Sequence, residues 1–278
     1  MEYLMTYGWA ILIIAVVLGA LFQLGVFNSS SFAPKAPPGA CQVFRPNGPG
    51  TITNINLMGV CTGQLPQYVS KFNGLNYNSV VVADALNLDS SSFSVSTWFY
   101  MNSKHYGDPY YIVQKGIWAA VPTGTGWAIY IYPQDTGTLY LAIMSTVADA
   151  SRSYGVISSK VWYHLAMSFN GTTNGYAFYV NGQSIYSSTL SGSYLPPTGS
   201  QLNMMRYLNG SLSNVQLYNT SLSANQIQTL YLGGIGGAPM KLQNLVGWWP
   251  LNGNANDYSG NNNNGVPTNV VFTSQYGK

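Results

Sequence analysis

The stretch that most constrains this chain is its first 27 residues, MEYLMTYGWAILIIAVVLGALFQLGVF, in which no charged residue follows Glu2 until Lys35. Leu4 to Phe27 is almost purely apolar, and about 24 residues at 1.5 Å each give a helix of roughly 36 Å, enough to cross a bilayer. Tyr3, Tyr7 and Trp9 cluster at its start, where amphipathic rings suit a membrane interface. A cleaved secretory signal and a plain anchor are the simplest readings of such a run. A signal wants a basic segment before a short apolar core, and here no Lys or Arg precedes the run while an acid does. Nor does any positive charge stand before it to fix its orientation.

Glu2 is the only glutamate in the chain. A carboxylate at a helix N-terminus is favoured by the backbone dipole, but in hydrocarbon or in a helix bundle it needs a partner. A bundle of identical helices would supply one in a neighbouring subunit's N-terminal amine. The stretch EYLMTYGWAILII resembles the N-terminus of archaeal type IV pilins and related pilin-like surface proteins. In that family a short basic leader is removed and the exposed helix packs into a filament core, with a glutamate near the fifth mature position. Glu2 is instead the second residue, which implies a start inside the mature protein or a trimmed leader. The resemblance implies a helical homopolymer of the chain itself, inserted in the membrane before assembly and extracellular afterwards. Glu2, Tyr3, Tyr7 and Trp9 would then be the assembly residues.

A chain of 278 residues allows one helix plus one large β domain, or two small domains. Charged residues make up only 6%, and Tyr (22), Gly (30), Ser, Thr and Asn supply the polarity. With 46% hydrophobic and 14% aromatic residues this is not a disordered composition. The net charge of +3 forms no basic stripe, which argues against nucleic acid as a partner. Cys41 and Cys61 have no zinc-site neighbours. Paired, they would close a loop of about 20 residues and add roughly 3 kcal/mol, favouring an oxidising, exported location; two unpaired buried thiols are the alternative. Asn28, Asn170, Asn209 and Asn219 each open an N-x-Ser/Thr sequon, as on an extracellular glycoprotein.

Beyond residues 1–27, the Ser- and Pro-rich segment 28–40 reads as a linker, and 41–66 as a disulfide-tied connector. Strand signals then become dense. Phe93, Val95, Thr97 and Phe99 alternate with Ser94, Ser96, Trp98 and Tyr100, and Asn181-Gly182 fits a type I′ hairpin turn. One helix is expected in SANQIQTLYLGG, with Ser223 and Gln226 as capping box, an apolar face of Ile227, Leu230 and Tyr231, and Gly233 as its stop. Many short strands with little helix period predict an antiparallel sandwich. The stretches KFNGLNYNSVVV, FSVSTWFYM, IVQKG, GWAIYI, WYHLAMSFNG, YVNGQSI and NGSLSNVQLYNTSLSANQIQTLY resemble, in that order, the laminin-G-like, concanavalin-A-like jelly roll. The expected fold is mainly β: a long N-terminal hydrophobic α-helix, then a two-sheet antiparallel jelly-roll head over 67–235. The last segment, 236–278, contains LVGWWPLNGNANDYSGNNNNG, similar to the opening strand of that family. It would complete its own sandwich, the placement favoured because a Trp248-Trp249 strand is costly in water, or add to a neighbour's sheet edge; a truncated second domain is the third possibility.

Glycoside hydrolysis on this jelly roll needs two facing carboxylates. The head has no glutamate, and Asp84, Asp89, Asp108, Asp135, Asp149 and Asp257 form no paired strand pattern. His105 and His164 stand near no nucleophile motif, and His164 reads as a core residue. The chain is therefore expected not to be an enzyme. Calcium, bound by many relatives, would have to use Asn76 and Asn214 where the family often has Asp, with Asp84, Asp89 or Asp257 adding at most a weak structural ion; no other cofactor is implied. For glycans, Trp98, Trp118, Trp127 and Trp162 offer rings; Trp98 and Trp162 lie in strands, where core packing is the stronger reading, and Trp118, in a Gly-rich loop, is the better candidate for an exposed contact. Together these readings describe a subunit of an archaeal pilus-like surface filament with a lectin-like head for adhesion. The alternative is a membrane-anchored, monomeric carbohydrate-binding module.

Overall fold

In the computed structural model, residues 12–19, 65–74, 78–84, 92–103, 110–116, 124–132, 137–148 and 150–276 are described, with 41–44 and 52–55 described as backbone alone. Chain order is helix α1 (12–19), then β1 (Cys41–Phe44) and β2 (Ile52–Ile55), which pair with each other. Next come β3 (Val69–Asn73), β4 (Ser79–Val82), β5 (Ser92–Met101), β6 (Tyr110–Lys115), β7 (Trp127–Tyr132) and β8 (Thr138–Ile143). β9 (Ala150–Val156), β10 (Trp162–Asn170), β11 (Gly175–Val180), β12 (Gln183–Thr189), β13 (Leu202–Arg206) and β14 (Asn209–Tyr218) follow. Helix α2 (Ala224–Leu232), β15 (Leu245–Trp249), β16 (Gly265–Thr268) and β17 (Val271–Thr273) complete the chain. Residues 1–36 and 37–278 form separate units.

The second unit is a sandwich of two antiparallel sheets. Sheet I has the order β12-β11-β10-β5-β14-β3-β17, with β15 also on β14; sheet II has the order β16-β4-β13-β6-β7-β8-β9. Alternation builds the core between them: Phe93, Val95 and Phe99 of β5 meet Trp127, Ile129 and Ile131 of β7. Strand β5 is buried on both faces, because Ser94, Ser96 and Trp98 turn outward only to meet α2 and the chain around it. That helix forms as its sequence requires. Ser223 caps it reciprocally with Gln226, and Ile227, Leu230 and Tyr231 are its buried face.

The long apolar helix expected over residues 4–27 is corrected here. The described helix at this end is residues 12–19, and eight residues span only about 12 Å against a hydrocarbon core of about 30 Å. Among the described residues no helix is long and apolar enough to cross a membrane. Length and hydropathy permit a spanning helix but do not supply the surface it must pack on. Leu12 and Val16 are 55% and 63% exposed, and a helix this short is marginal in water without tertiary contacts. Glu2, Tyr3, Tyr7, Trp9 and Asn28 lie outside the described residues, as do Cys61 and the side chain of Cys41, and with them the disulfide.

The C-terminal segment returns to its own sandwich. β15 pairs with β14 from Val215↔Trp249 to Tyr218↔Leu245, β16 pairs with β4, and β17 with β3. Trp249 is fully buried and donates from Nε1 to the Asn263 carbonyl at 2.8 Å.

Two residues on the α2 side of sheet I carry testable consequences. Gly182 shares the β11–β12 turn with Asn181 at φ +74° and +52°, and a Cβ there would lie 2.9 Å from the Cβ of Tyr231 on α2. Gly182→Ala is expected to destabilise by about 1–3 kcal/mol in urea unfolding, from left-handed strain and displacement of α2; an unchanged midpoint would contradict this packing. His164 is wholly buried between Trp98 and Tyr231, with Nε2 2.8 Å from Ser96 Oγ. Burial alone lowers its pKa to about 3. The unfolded chain therefore takes up a proton near pH 6.5 that the folded chain refuses. Stability present above that pH is lost as pH falls towards 3, by up to about 1.4 kcal/mol per unit. Comparing unfolding free energies between pH 6.5 and 4, His164→Gln should flatten the slope by about one proton, and identical slopes would refute the assignment.

Candidate functional site

The outward face of sheet II departs from the polar surface that alternation normally gives the solvent side of an antiparallel sheet. While Trp127, Ile129 and Ile131 point into the core, Ala128, Tyr130 and Tyr132 point out, joined by Tyr111 of β6 and by Tyr140 and Ala142 of β8. Cross-strand register aligns them into a row, Arg206–Tyr111–Tyr130–Tyr140–Ser153, running across five strands. A parallel row holds Asn203, Gln114, Ala128, Ala142 and Ser151.

The rings brace one another. Tyr130 and Tyr140 stack with centroids 5.4 Å apart and planes 13° apart, Tyr111 lies 6.0 Å from Tyr130, and Tyr132 meets Tyr140 edge-on at 6.2 Å. Tyr130, in the middle, is 7% exposed, whereas Tyr111, Tyr132 and Tyr140 remain half-buried. Ala128 and Ala142 are fully buried beneath the rings, and Ser151 Oγ lies 3.4 Å from Tyr130 Oη. At the Arg206 end opens a cleft of about 320 Å³ lined by Asn78, Ser79, Gln201, Asn203, Arg206 and Tyr207. Two other clefts lie among the described residues. One of about 170 Å³ lies on the flank beside Arg152 and Tyr186, where the guanidinium bonds the phenol at 2.8 Å and lowers its pKa. The other, about 380 Å³, lies on sheet I between Ser168, Tyr176, Tyr179 and Ser221.

The structure brings few of the sequence candidates to this face. Trp98, Trp127 and Trp162 are at most 1% exposed, so none is a contact residue. Trp118, Asn76, Asp89 and His105 lie outside the described residues. Asp84 forms an ion pair at 3.1 Å with the buried Lys115, which also donates to the Ser200 carbonyl at 2.7 Å. Asp257 organises the loop after β15: Oδ1 accepts from the Trp248 and Ser259 amides, and Oδ2 from Ser259 Oγ and the Asn263 amide, all at 2.9 Å. Asn214 donates to the Gly237 carbonyl and accepts from Gln216 and Trp248 Nε1. These are structural roles. Among the described residues no group of three His, Cys, Asp or Glu side chains converges as metal ligands would. Of the sequons, Asn219 is exposed, Asn170 half-buried at the end of β10 with Oδ1 accepting from the Thr172 amide, and Asn209 half-buried with Nδ2 donating to Ser103 Oγ at 3.1 Å. Sequence reading missed the tyrosine row: WAIYIY and TLYLAI show Tyr130, Tyr132 and Tyr140 at outward positions, but their alignment with Tyr111 comes from strand register.

Comparison with known proteins fits this architecture. The laminin-G family model of the concanavalin A-like lectin/glucanases superfamily matches residues 74–228, more than half of the chain. The chain belongs to that superfamily. Its match ends before β15, so the C-terminal strands lie beyond the part of the lectin-like domain that the family model covers. Among solved structures, a heptameric SAP-like pentraxin from Limulus polyphemus gives a TM-score of 0.50 at 14% identity, covering 75% of this chain and 95% of its own. A Bacteroides ovatus protein provisionally described as carbohydrate binding gives 0.53 at 14% identity, covering 76% of this chain and 60% of its own. At such identities the likeness concerns the fold alone. No curated protein matches the sequence.

The hydrogen-bond set around Asp257 predicts the outcome of its removal. Asp257→Ala leaves four donors without their acceptor and should lower unfolding stability by about 2–3 kcal/mol, irrespective of added calcium. Unchanged stability in urea, or rescue of the variant by calcium, would contradict the structural role.

Proposed function

We propose that the chain is a glycan-binding surface protein whose contact face is the outward side of sheet II. The observation that carries this reading is the row Tyr111–Tyr130–Tyr140 flanked by the half-buried Asn203 and Ser151. Apolar faces of a sugar ring stack on aromatic rings, while amides and hydroxyls on the next row bond its hydroxyl groups. Membership of a lectin/glucanase superfamily and the fold shared with the Bacteroides ovatus protein support the reading. Binding is favoured over hydrolysis, since the two described carboxylates, Asp84 and Asp257, are committed to Lys115 and to their own loop. Trp118 remains the aromatic candidate in the segment between β6 and β7.

The finer reading makes the molecule a subunit of an archaeal type IV pilus-like filament at the cell surface, where many copies of one face turn weak contacts into firm adhesion. It is supported by the apolar sequence of residues 4–27 and by Glu2 before it. A Cys41–Cys61 disulfide and glycosylated sequons belong to the same extracellular picture. Electron microscopy and mass spectrometry of material sheared from producing cells test it. Filaments made mainly of this chain support it, and single copies confined to detergent-extracted membrane would leave the anchored, monomeric module instead.

The face itself is tested by glycan-array and calorimetric binding of the full chain. Tyr111→Ala and Tyr140→Ala should each weaken binding at least about tenfold, as expected for a central aromatic anchor, while the melting temperature shifts only slightly. Undiminished binding by the double variant would refute this location.

A further inference from the structure

We infer that the glycan taken by this face carries a carboxylate, and that Arg206 reads it; the inference rests on the reading of sheet II just given. Arg206 ends the aromatic row, directly opposite Tyr111 on the neighbouring strand and facing solvent. Its guanidinium is held in place by this chain. It lies 4.9 Å from the centre of the Tyr207 ring, and Nη2 donates to Tyr207 Oη at 3.0 Å. The rest of the planar fork is engaged by no carboxylate among the described residues, where Asp84–Lys115 is the one ion pair. Asp84 is taken by Lys115, and Asp257 lies within its own loop.

The surroundings of Arg206 are neutral and polar. The adjoining cleft offers the amides of Gln201 and Asn203, the Ser79 hydroxyl and the Tyr207 phenol, with the buried Asn78, bonded to Asn73, behind them and Arg206 as its one charged lining residue. At about 320 Å³ it lies at the small end of ligand pockets, which typically hold about 300–1,000 Å³. A polyhydroxyl ring with one negative group meets this combination. The amides take the hydroxyls, and the guanidinium takes the carboxylate through two parallel N–H···O bonds. Adjacent strands are about 4.8 Å apart, so Arg206 and Tyr140 stand about 14 Å apart across three strand steps. An oligosaccharide lying across the strands would thus stack on the tyrosines with an acidic unit at the Arg206 end. The flank cleft pairs Arg152 with Tyr186 in the same manner, but without the tyrosine row beside it, and serves as the internal control.

The test is calorimetric binding of the full chain to matched pairs of probes. These are galacturonan oligomers against their methyl esters, 3′-sialyllactose against lactose, a hyaluronan tetrasaccharide against its carboxyl-reduced form, and a sulfated galactan oligomer against its desulfated form. For at least one carboxylate pair the acidic member should bind about tenfold or more tightly than its neutral partner. Arg206→Gln should bring that ratio to within threefold, Arg206→Lys should keep part of it, and Arg152→Gln should leave it unchanged. Equal binding of acidic and neutral members overturns this inference while the face survives as a neutral-glycan site. A preference confined to the sulfated pair, or one removed by Arg152→Gln and not by Arg206→Gln, overturns it as well. Absence of binding to every probe overturns the reading of the face and this inference with it.

Discussion

The sandwich depends on a single break in strand β14. Asn214 sits at φ +55°, where an Asn side chain is tolerated, and the register of β14 against β5 shifts between Ser213 and Gln216. The bulge divides the opposite edge of β14 in two. Asn209 to Leu212 pair with β3, and Val215 to Tyr218 pair with β15. The Asn214 amide holds the junction by donating to the Gly237 carbonyl and accepting from the Trp248 indole, each at 2.8 Å. One strand thereby joins the beginning of the domain to its end.

Other ties follow that junction. Tyr68 donates its amide to Asn252 at 2.7 Å, the Tyr276 phenol donates to the Pro66 carbonyl, and Trp249 fills the core. The C-terminal strands thus distribute themselves over both sheets, β15 and β17 on sheet I and β16 on sheet II. With α2 packed on sheet I, that sheet is buried on both faces at β5, and its outward polar groups bond internally: Ser94 to Ser168 and Thr220, Ser96 to His164. Among the described residues sheet II receives no such helix on its outer side, and its tyrosines pack on one another instead. Among the described residues, the proposed contact face is thus the outer sheet face that the helix leaves open.

Much of this was legible in the sequence, for physical reasons. Alternation in SFSVSTWFYM, the Asn181-Gly182 turn and the Ser223–Gln226 capping box are local signals, and local geometry obeys them. The long N-terminal helix was not, because an apolar run shows what a segment tolerates and not what it packs against. The proposed contact face was missed for a different reason. Only tryptophan was weighed as a sugar contact; Trp98 and Trp162 pack inside, as their strand positions implied, and so does Trp127. Tyrosine, with a polar tip on an apolar body, can stand on the outer row. That Tyr111, Tyr130 and Tyr140 fall side by side depends on pairing register across three strands, with a bulge between Tyr111 and Val113, and no stretch of the sequence carries that information by itself.

A glycan-binding role for sheet II requires that a sugar touch this sandwich at its outer tyrosine row. The most direct measurement is chemical-shift mapping by NMR of the full chain with labelled tyrosine and arginine, titrated with galacturonan oligomers and with their methyl esters. The account predicts perturbations centred on Tyr111, Tyr130, Tyr140 and Arg206, with Tyr176, Tyr186 and Arg152 unmoved. Shifts confined to the Arg152 flank or to Tyr176 and Tyr179 on sheet I would contradict it.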